Sequence, residues 1–423
     1  MAKKEQQNKT DLDERSIIER IAFRQNRRDA ILLPVLSVLT ALIIGMFIIA
    51  LSDPKTLGAA KDFFSAPGEV FYYAGQAIYD AYSAMLEGAF GNPVRVITAF
   101  FDWQSTGDAK TLLNELRPIS ESLVIATPYI LAGLGVAMSF QGGMVNIGAE
   151  GQLFVAGLAS VFIGYTFKNL PWFIHLPFAM LAGLAAGALW GFIPGFLKAK
   201  TGAHEVINTI MMNYIAFRLT DYLLSGPMAK TSNLPITPDV LPTAYLPRFL
   251  PSPVRLHWGF LFALGMAWLI HFLLYKTTFG MEIRMIGKNP KAARYAGISV
   301  TLLTTMIMTM SGGIAGLAGV NQALGVDHRM VRAFSSGYGF DAIALALLGN
   351  NNPFGIVLAS LLFGFLRGGA ARMQSTAGTP VELIRIIQGV VVIFVAAPEI
   401  IRALYRMKGK GDKALSVKEP SKE

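Results

Sequence analysis

Six polar residues interrupt long apolar stretches of this chain and are where its chemistry would lie: Asn146, Glu150, Asn208, Asn213, Asn321 and Asp341. Two are carboxylates set beside glycines. Glu150 lies in the run Gln141-Gly142-Gly143-Met144-Val145-Asn146-Ile147-Gly148-Ala149-Glu150-Gly151-Gln152, and Asp341 closes Ser335-Ser336-Gly337-Tyr338-Gly339-Phe340-Asp341. Each carboxylate follows a glycine by two residues, and each run continues apolar to another glycine, Gly157 or Gly349. A charged carboxylate in hydrocarbon costs about 2.5–3.5 kcal/mol on insertion scales. Each must therefore cap a helix, pair with a polar group or face a wet cavity, and a helix N-terminus would stabilise it. The asparagine amides can bond a polar solute or a neighbouring helix, the latter being the commoner use.

A second pattern is local. In Gly287-Lys288-Asn289-Pro290-Lys291-Ala292-Ala293-Arg294-Tyr295-Ala296-Gly297-Ile298, Asn289 suits an N-cap and Pro290 the first helical turn. Ala292 and Ala293 favour helix, and Gly297 favours its end. A two-turn helix is marginal alone, so neighbouring helices or a second protein must hold it. Other chemistry is missing from the sequence. There is no G-x-x-x-x-G-K-[ST] phosphate loop, no cysteine, and no metal-ligand spacing among the five histidines at 175, 204, 257, 271 and 328. No metal site and no enzymatic constellation is expected.

The elements that must position these residues are membrane helices. Of 423 residues, 53% are hydrophobic and only 15% charged, against about 25% charged in an average soluble domain. Mean hydropathy is +0.47. The net charge of +10 has a membrane distribution rather than the basic-aromatic pattern of a nucleic-acid binder. Eight Lys/Arg fall in 1–29, five in 276–294 and seven in 402–422, whereas 52–118 carries five against eight Asp/Glu. Positive flanks mark the cytoplasmic side. Both termini are therefore expected there, which requires an even number of crossings.

The expected fold class is all-α, a polytopic membrane bundle of about ten spans with broken or short helices and an inverted repeat. A basic segment, 1–29, precedes a retained first span, 30–51. In that segment Leu12, Ile17, Ile18 and Ile21 suggest an amphipathic surface helix. The stretch 52–118 is external. In it Ala74, Ile78, Ala81 and Met85 oppose Gln76, Asp80, Ser83 and Glu87 on an amphipathic helix. The core, 119–402, reads as spans at 119–140, 150–167, 172–197, 204–225, 257–275, 301–325, 353–372 and 380–402, with a short element at 335–349. It also holds a Pro-rich external loop, 226–256, and a cytoplasmic loop, 276–300. A basic tail, 403–423, follows. Gly183, Gly187, Gly191 and Gly195 form a smooth stripe suited to close packing, static or sliding.

The run from Gly142 to Gln152 resembles the signature of permease subunits of bacterial ABC importers for nucleosides, within the ribose/simple-sugar and branched-chain amino-acid permease superfamily. The resemblance extends to Met85–Gly91, Glu205–Tyr214 and Gly287–Gly297, and over most of 80–402. It implies a plasma-membrane subunit in bacteria that pairs with a second homologous permease and binds no cofactor itself. A cytoplasmic ABC ATPase would hold ATP and Mg and dock on Gly287, Asn289, Pro290, Ala292, Ala293 and Gly297. An extracellular substrate-binding lipoprotein would deliver the nucleoside, and the six polar residues above would line its route. Alternatives are a permease for ribose or another simple sugar, an ion-coupled secondary transporter using Glu150 and Asp341, and a passive channel.

Overall fold

The computed structural model describes residues 32–231, 234–332 and 334–406; the basic N-terminal segment with its expected surface helix, and the tail beyond 406, lie outside the described residues. Helix α1 is Leu32–Ser52. It is followed by α2 (Pro54–Ala60), α3 (Pro67–Phe90), α4 (Pro93–Thr106), α5 (Lys110–Gln141), α6 (Ala149–Thr166), α7 (Trp172–Thr201) and α8 (Glu205–Ser225). Then come α9 (Gly259–Lys276), α10 (Thr278–Lys288), α11 (Pro290–Tyr295), α12 (Val300–Gln322), α13 (Tyr338–Leu348), α14 (Pro353–Ala377), α15 (Glu382–Ala396) and α16 (Pro398–Leu404). Among the described residues β-pairing is limited to isolated bridges.

Local chemistry places several of the starts. Asp53-Pro54, Asn92-Pro93, Asn289-Pro290 and Asn352-Pro353 each put a capping side chain before a proline at the first helical position. The capping oxygen accepts otherwise orphaned first-turn N–H groups, and proline has none to lose there.

Among the described residues six helices, α1, α5, α7, α9, α12 and α14, are long and apolar enough to cross a membrane, and the bent pair α15–α16 can be counted as a seventh. Adding α6, α8 and the short α13 accounts for the ten elements expected from sequence. The amphipathic pattern near residue 80 belongs to α3, whose buried residues include Ala81 and Met85. This helix packs on α5 and α14, and its Tyr82 hydroxyl donates to the Leu42 carbonyl of α1 at 2.7 Å.

Packing exposes a two-fold plan. α5 packs on α13 and α14, while α12 packs on α6 and α7. Each half therefore buries its long helix against the short helix and following span of the other. The glycine stripe of α7 makes the second of these contacts a backbone-to-backbone one. A Cβ on Gly187 would lie 2.7 Å from the Gly312 carbonyl oxygen of α12, and one on Gly191 2.9 Å from the Gly312 Cα. α5 is the interior of the bundle, with 83% of its most apolar window buried, against 28% for α7 and α9. The apolar exposed faces of α7 and α9 suit lipid. The Pro-rich loop folds over one end of the bundle, where Thr237 N–H bonds the Met330 carbonyl, Val240 that of His328 and Leu241 that of Gly164.

Candidate functional site: two half-helices meeting head to head

α5 ends at Gln141, and the chain turns through Gly142 and Gly143 before α6 begins at Ala149. Gly143 has φ +72°, a left-handed conformation that favours glycine. Asn146, fully buried, holds the turn: its Oδ1 accepts from Gly148 N–H at 2.9 Å, and its Nδ2 donates to Gln152 Oε1 at 2.9 Å and Ser311 Oγ at 2.8 Å. The Ser311 hydroxyl in turn donates to the Gly135 carbonyl at 2.6 Å. Asn213 reaches across from α8. Its Oδ1 accepts from Gly151 N–H at 2.8 Å, and its Nδ2 donates to the Ile147 carbonyl at 2.9 Å. One amide thus satisfies an orphan donor of the α6 start and an acceptor of the turn before it. These side chains are spent on backbone and on each other.

The second broken segment approaches from the opposite end. Ser335 Oγ accepts from Gly337 and Tyr338 N–H, and Gly337 has φ +90°. α13 then starts directly against the start of α6. Glu150, 3% exposed, accepts the Gly339 N–H at 2.6 Å, so the carboxylate in the first turn of α6 caps the other half-helix. Glycine is required at 339 because a Cβ there would fall on the Ala149 and Glu150 backbone. From this junction α6 runs to the loop end, where Gly164 meets Val240, and α13 runs to the Gln141 end, where Gln141 bonds Asn351. Two helix N-termini with their positive dipole ends therefore face one buried point, and two carboxylates stand beside it.

Asp341 sits in the first turn of α13. Its Oδ2 accepts from the Tyr129 hydroxyl at 2.7 Å and lies 3.7 Å from Arg367 Nη1. Arg367, from α14, donates to Tyr129 Oη at 2.6 Å and to the Ser336 carbonyl at 2.9 Å. Its guanidinium lies 5.1 Å from the Tyr338 ring centre, a cation–π arrangement. Beside this group a cleft of about 530 Å3 opens between α13, α14 and α15, lined by Phe340, Asp341, Arg367, Arg385 and Gln388 among others. Mostly apolar walls with a few polar groups are the usual make-up of a small-molecule site.

Residues 119–396 match the family described as branched-chain amino acid transport system / permease component. The guanosine ABC transporter permease protein NupP of Bacillus subtilis is 39% identical, over 81% of this chain and 92% of its own length. The chain belongs to this permease family. A glucose ABC transporter permease protein of Haloferax volcanii is 36% identical over 66% of the chain and 76% of its own length. A second guanosine permease protein of Bacillus subtilis, NupQ, is 28% identical over 70% of the chain and 92% of its own length. No solved structure matches the chain significantly. The chain is thus a multi-pass membrane permease, and its α1 to α4 precede residues 119–396, which match the family.

In this permease the six residues singled out from sequence divide. Asn146, Glu150, Asn213 and Asp341 gather around the half-helix junction. Asn321 does not: it stands near the loop end of α12, its Nδ2 against Gly259 and its Oδ1 without a hydrogen-bond partner. Asn208, on α8, has a buried Nδ2 also lacking a partner. Tyr129, Arg367, Arg385 and Gln388 were missed. Arg367 and Arg385, both inside apolar helices, were the available signal, since charge within an apolar helix is rare and needs a partner or a wet cavity.

The permease carries its short capped helix as expected. Asn289 Oδ1 accepts from Lys291 and Ala292 N–H at 3.0 and 3.1 Å, and Gly297 has φ +83°. Ala293 is fully buried against its own chain, whereas Ala292 is exposed and Tyr295 is 94% exposed. The outward knob of α11 is therefore an aromatic ring, framed by exposed Lys291 and Arg294.

Proposed function

We propose that this permease is one of two membrane subunits of an ATP-driven importer of nucleosides, and that the α10–α11 end is cytoplasmic. The observation that carries the reading is the likeness to a guanosine permease along 92% of that protein's length. A second guanosine permease of the same bacterium is also similar, which supports a heteromeric pair with a homologous chain. Orientation rests on charge: five Lys/Arg in 276–294, against an acidic balance in 52–118. Both chain termini then lie in the cytoplasm of a bacterial cell.

The division of labour follows from chemistry. Without a phosphate loop the permease supplies no ATP site; a cytoplasmic ATPase holds ATP and Mg and docks on α11, with Tyr295 as the buried anchor of that contact. A substrate-binding lipoprotein on the opposite side hands over the nucleoside. A nucleoside offers an apolar ring face and several hydroxyl and amide groups. The cleft beside α13 matches this with Phe340, Asp341, Arg385 and Gln388, and α8 adds Asn208, while the junction groups Asn146, Glu150 and Asn213 hold the backbone that shapes the route. α8 is not among the helices apolar enough to span alone, and its exposed residues set Arg218, Tyr214 and Tyr222 among Ile207, Met211 and Ile215. Hydrocarbon is a poor solvent for that face, which suits the partner permease and the route between them.

The test is uptake into liposomes containing both permeases and the ATPase. ATP-dependent accumulation competed by guanosine is expected, with none from this chain alone. Uptake persisting without ATP, or by this chain alone against a gradient, overturns the reading. The similar glucose permease favours a second reading, sugar import by the same mechanism, and competition by ribose or glucose but not guanosine would establish it. Tyr295→Ala should lower transport-linked ATP hydrolysis by about tenfold, as loss of a hot-spot aromatic does. Ala293→Asp would bury a charge within the chain itself and so tests folding instead.

A further inference from the structure

Gln141 ends α5 at a place where three other elements meet. Its Nε2 donates to the Asn351 carbonyl, just beyond α13, at 3.0 Å, and to the Tyr275 hydroxyl near the end of α9 at 3.3 Å. Its own carbonyl lies against Gly287 of α10, where a Cβ would overlap it. Two residues on, a Cβ at Gly143 would lie only 2.9 Å from the Gly287 Cα. Two glycines thus set the backbone of the docking unit directly on the backbone of the turn that leads into α6. No flexible side chain intervenes, and close-packed protein transmits displacement rather than absorbing it. Arg284 of α10, its guanidinium 5.2 Å from the Tyr275 ring centre, ties α10 to the same tyrosine.

We infer that Gln141, together with the Gly143–Gly287 contact, is a positioning relay that passes movement of α10–α11 to both half-helices at once. The need for both follows from the junction. Glu150 of α6 bonds Gly339 of α13, so driving α6 alone would break that bond, whereas driving the turn before α6 and the segment after α13 together keeps the pair in register. The contact with Gly287 pushes the first, and the Gln141 amide carries the second. The relay rests on the functional reading above, because it requires α10–α11 to be the part that a partner moves.

The experiment compares nucleoside moved per ATP hydrolysed by the reconstituted complex. It uses wild type, Gln141→Met, which keeps length without a donor, Gln141→Glu, which sets an acceptor against the Asn351 carbonyl, and Gln141→Lys, which restores a donor. In the Met and Glu variants the complex should assemble and hydrolyse ATP within about twofold of wild type, while nucleoside per ATP falls about tenfold, in the range of ordinary coupling free energies. The Lys variant should recover part of the ratio. A wild-type ratio in the Met and Glu variants overturns the relay. So does loss of assembly in all three, which would make Gln141 merely structural. Failure of wild type to move nucleoside on ATP overturns the functional reading and the relay with it.

Discussion

The two half-helices follow one plan, yet their flanks differ. In the first half Asn213 ties α8 to α6 with one hydrogen bond and to the turn before it with another, and that turn is stitched by Asn146, Gln152 and Ser311. In the second half, among the described residues, α15 makes no such bond to α13. A cleft of about 530 Å3 takes its place, and Gln388 on its wall keeps a buried Nε2 without a hydrogen-bond partner. The first half is thereby stitched closed around the start of α6. The second keeps a cleft and the Gln388 amide unspent on the protein.

The largest effect that would break this comparison is at the shared point. Gly339→Val puts side-chain atoms onto the backbone of Ala149 and Glu150. Overpacking typically costs about 1–3 kcal/mol, more where backbone must shift. Lost transport and a clearly lowered melting temperature in detergent are expected, and near-normal stability would show that the half-helices do not meet. Next comes the contrast between flanks. Asn213→Leu strands the Gly151 N–H and the Ile147 carbonyl, each costing about 1–3 kcal/mol when buried unpaired. Gln388→Leu removes a donor that had no partner and should leave the melting temperature nearly unchanged while weakening uptake at low nucleoside. Equal destabilisation by both would erase the distinction between a closed and an open half.

The smallest effect lies in the loop that covers one end. The Lys230 ammonium, hydrogen-bonded at 2.6 Å, and the Arg329 guanidinium hold the Asp239 carboxyl below the ordinary aspartate range. A depressed carboxylate contributes stability that is fully present above the unfolded value, about 3.9, and is lost as pH falls through the folded one. Amide exchange in 234–240 should therefore quicken only below about pH 4, and Asp239→Asn should abolish that pH step. These pairs are exposed, so the change should be slight.

Much of this was legible beforehand. Long apolar runs, positive flanks and Asn-Pro caps act through local chemistry, and they determined the helices, the two interruptions and the short α11. The carboxylates at 150 and 341 could be read as helix-start groups for the same reason. What sequence left open was partnership. Nothing near Glu150 says that it caps α13 rather than its own helix. Likewise, nothing near Asn213 says that its amide is consumed by the turn before α6. Ala293 and Tyr295 lie two positions apart on one helical turn, and only the packing of α11 against α10 and α12 decides that one is buried and the other bare.

Sequence by itself therefore settled that the chain is a membrane bundle broken at two glycine-carboxylate sites, because hydrocarbon penalises every unsatisfied polar group wherever the chain goes. Only tertiary structure decided that the two breaks meet head to head and that Gln141 stands between α10 and both of them. Those contacts join residues up to 210 positions apart, and long-range proximity is a property of packing that no local pattern encodes.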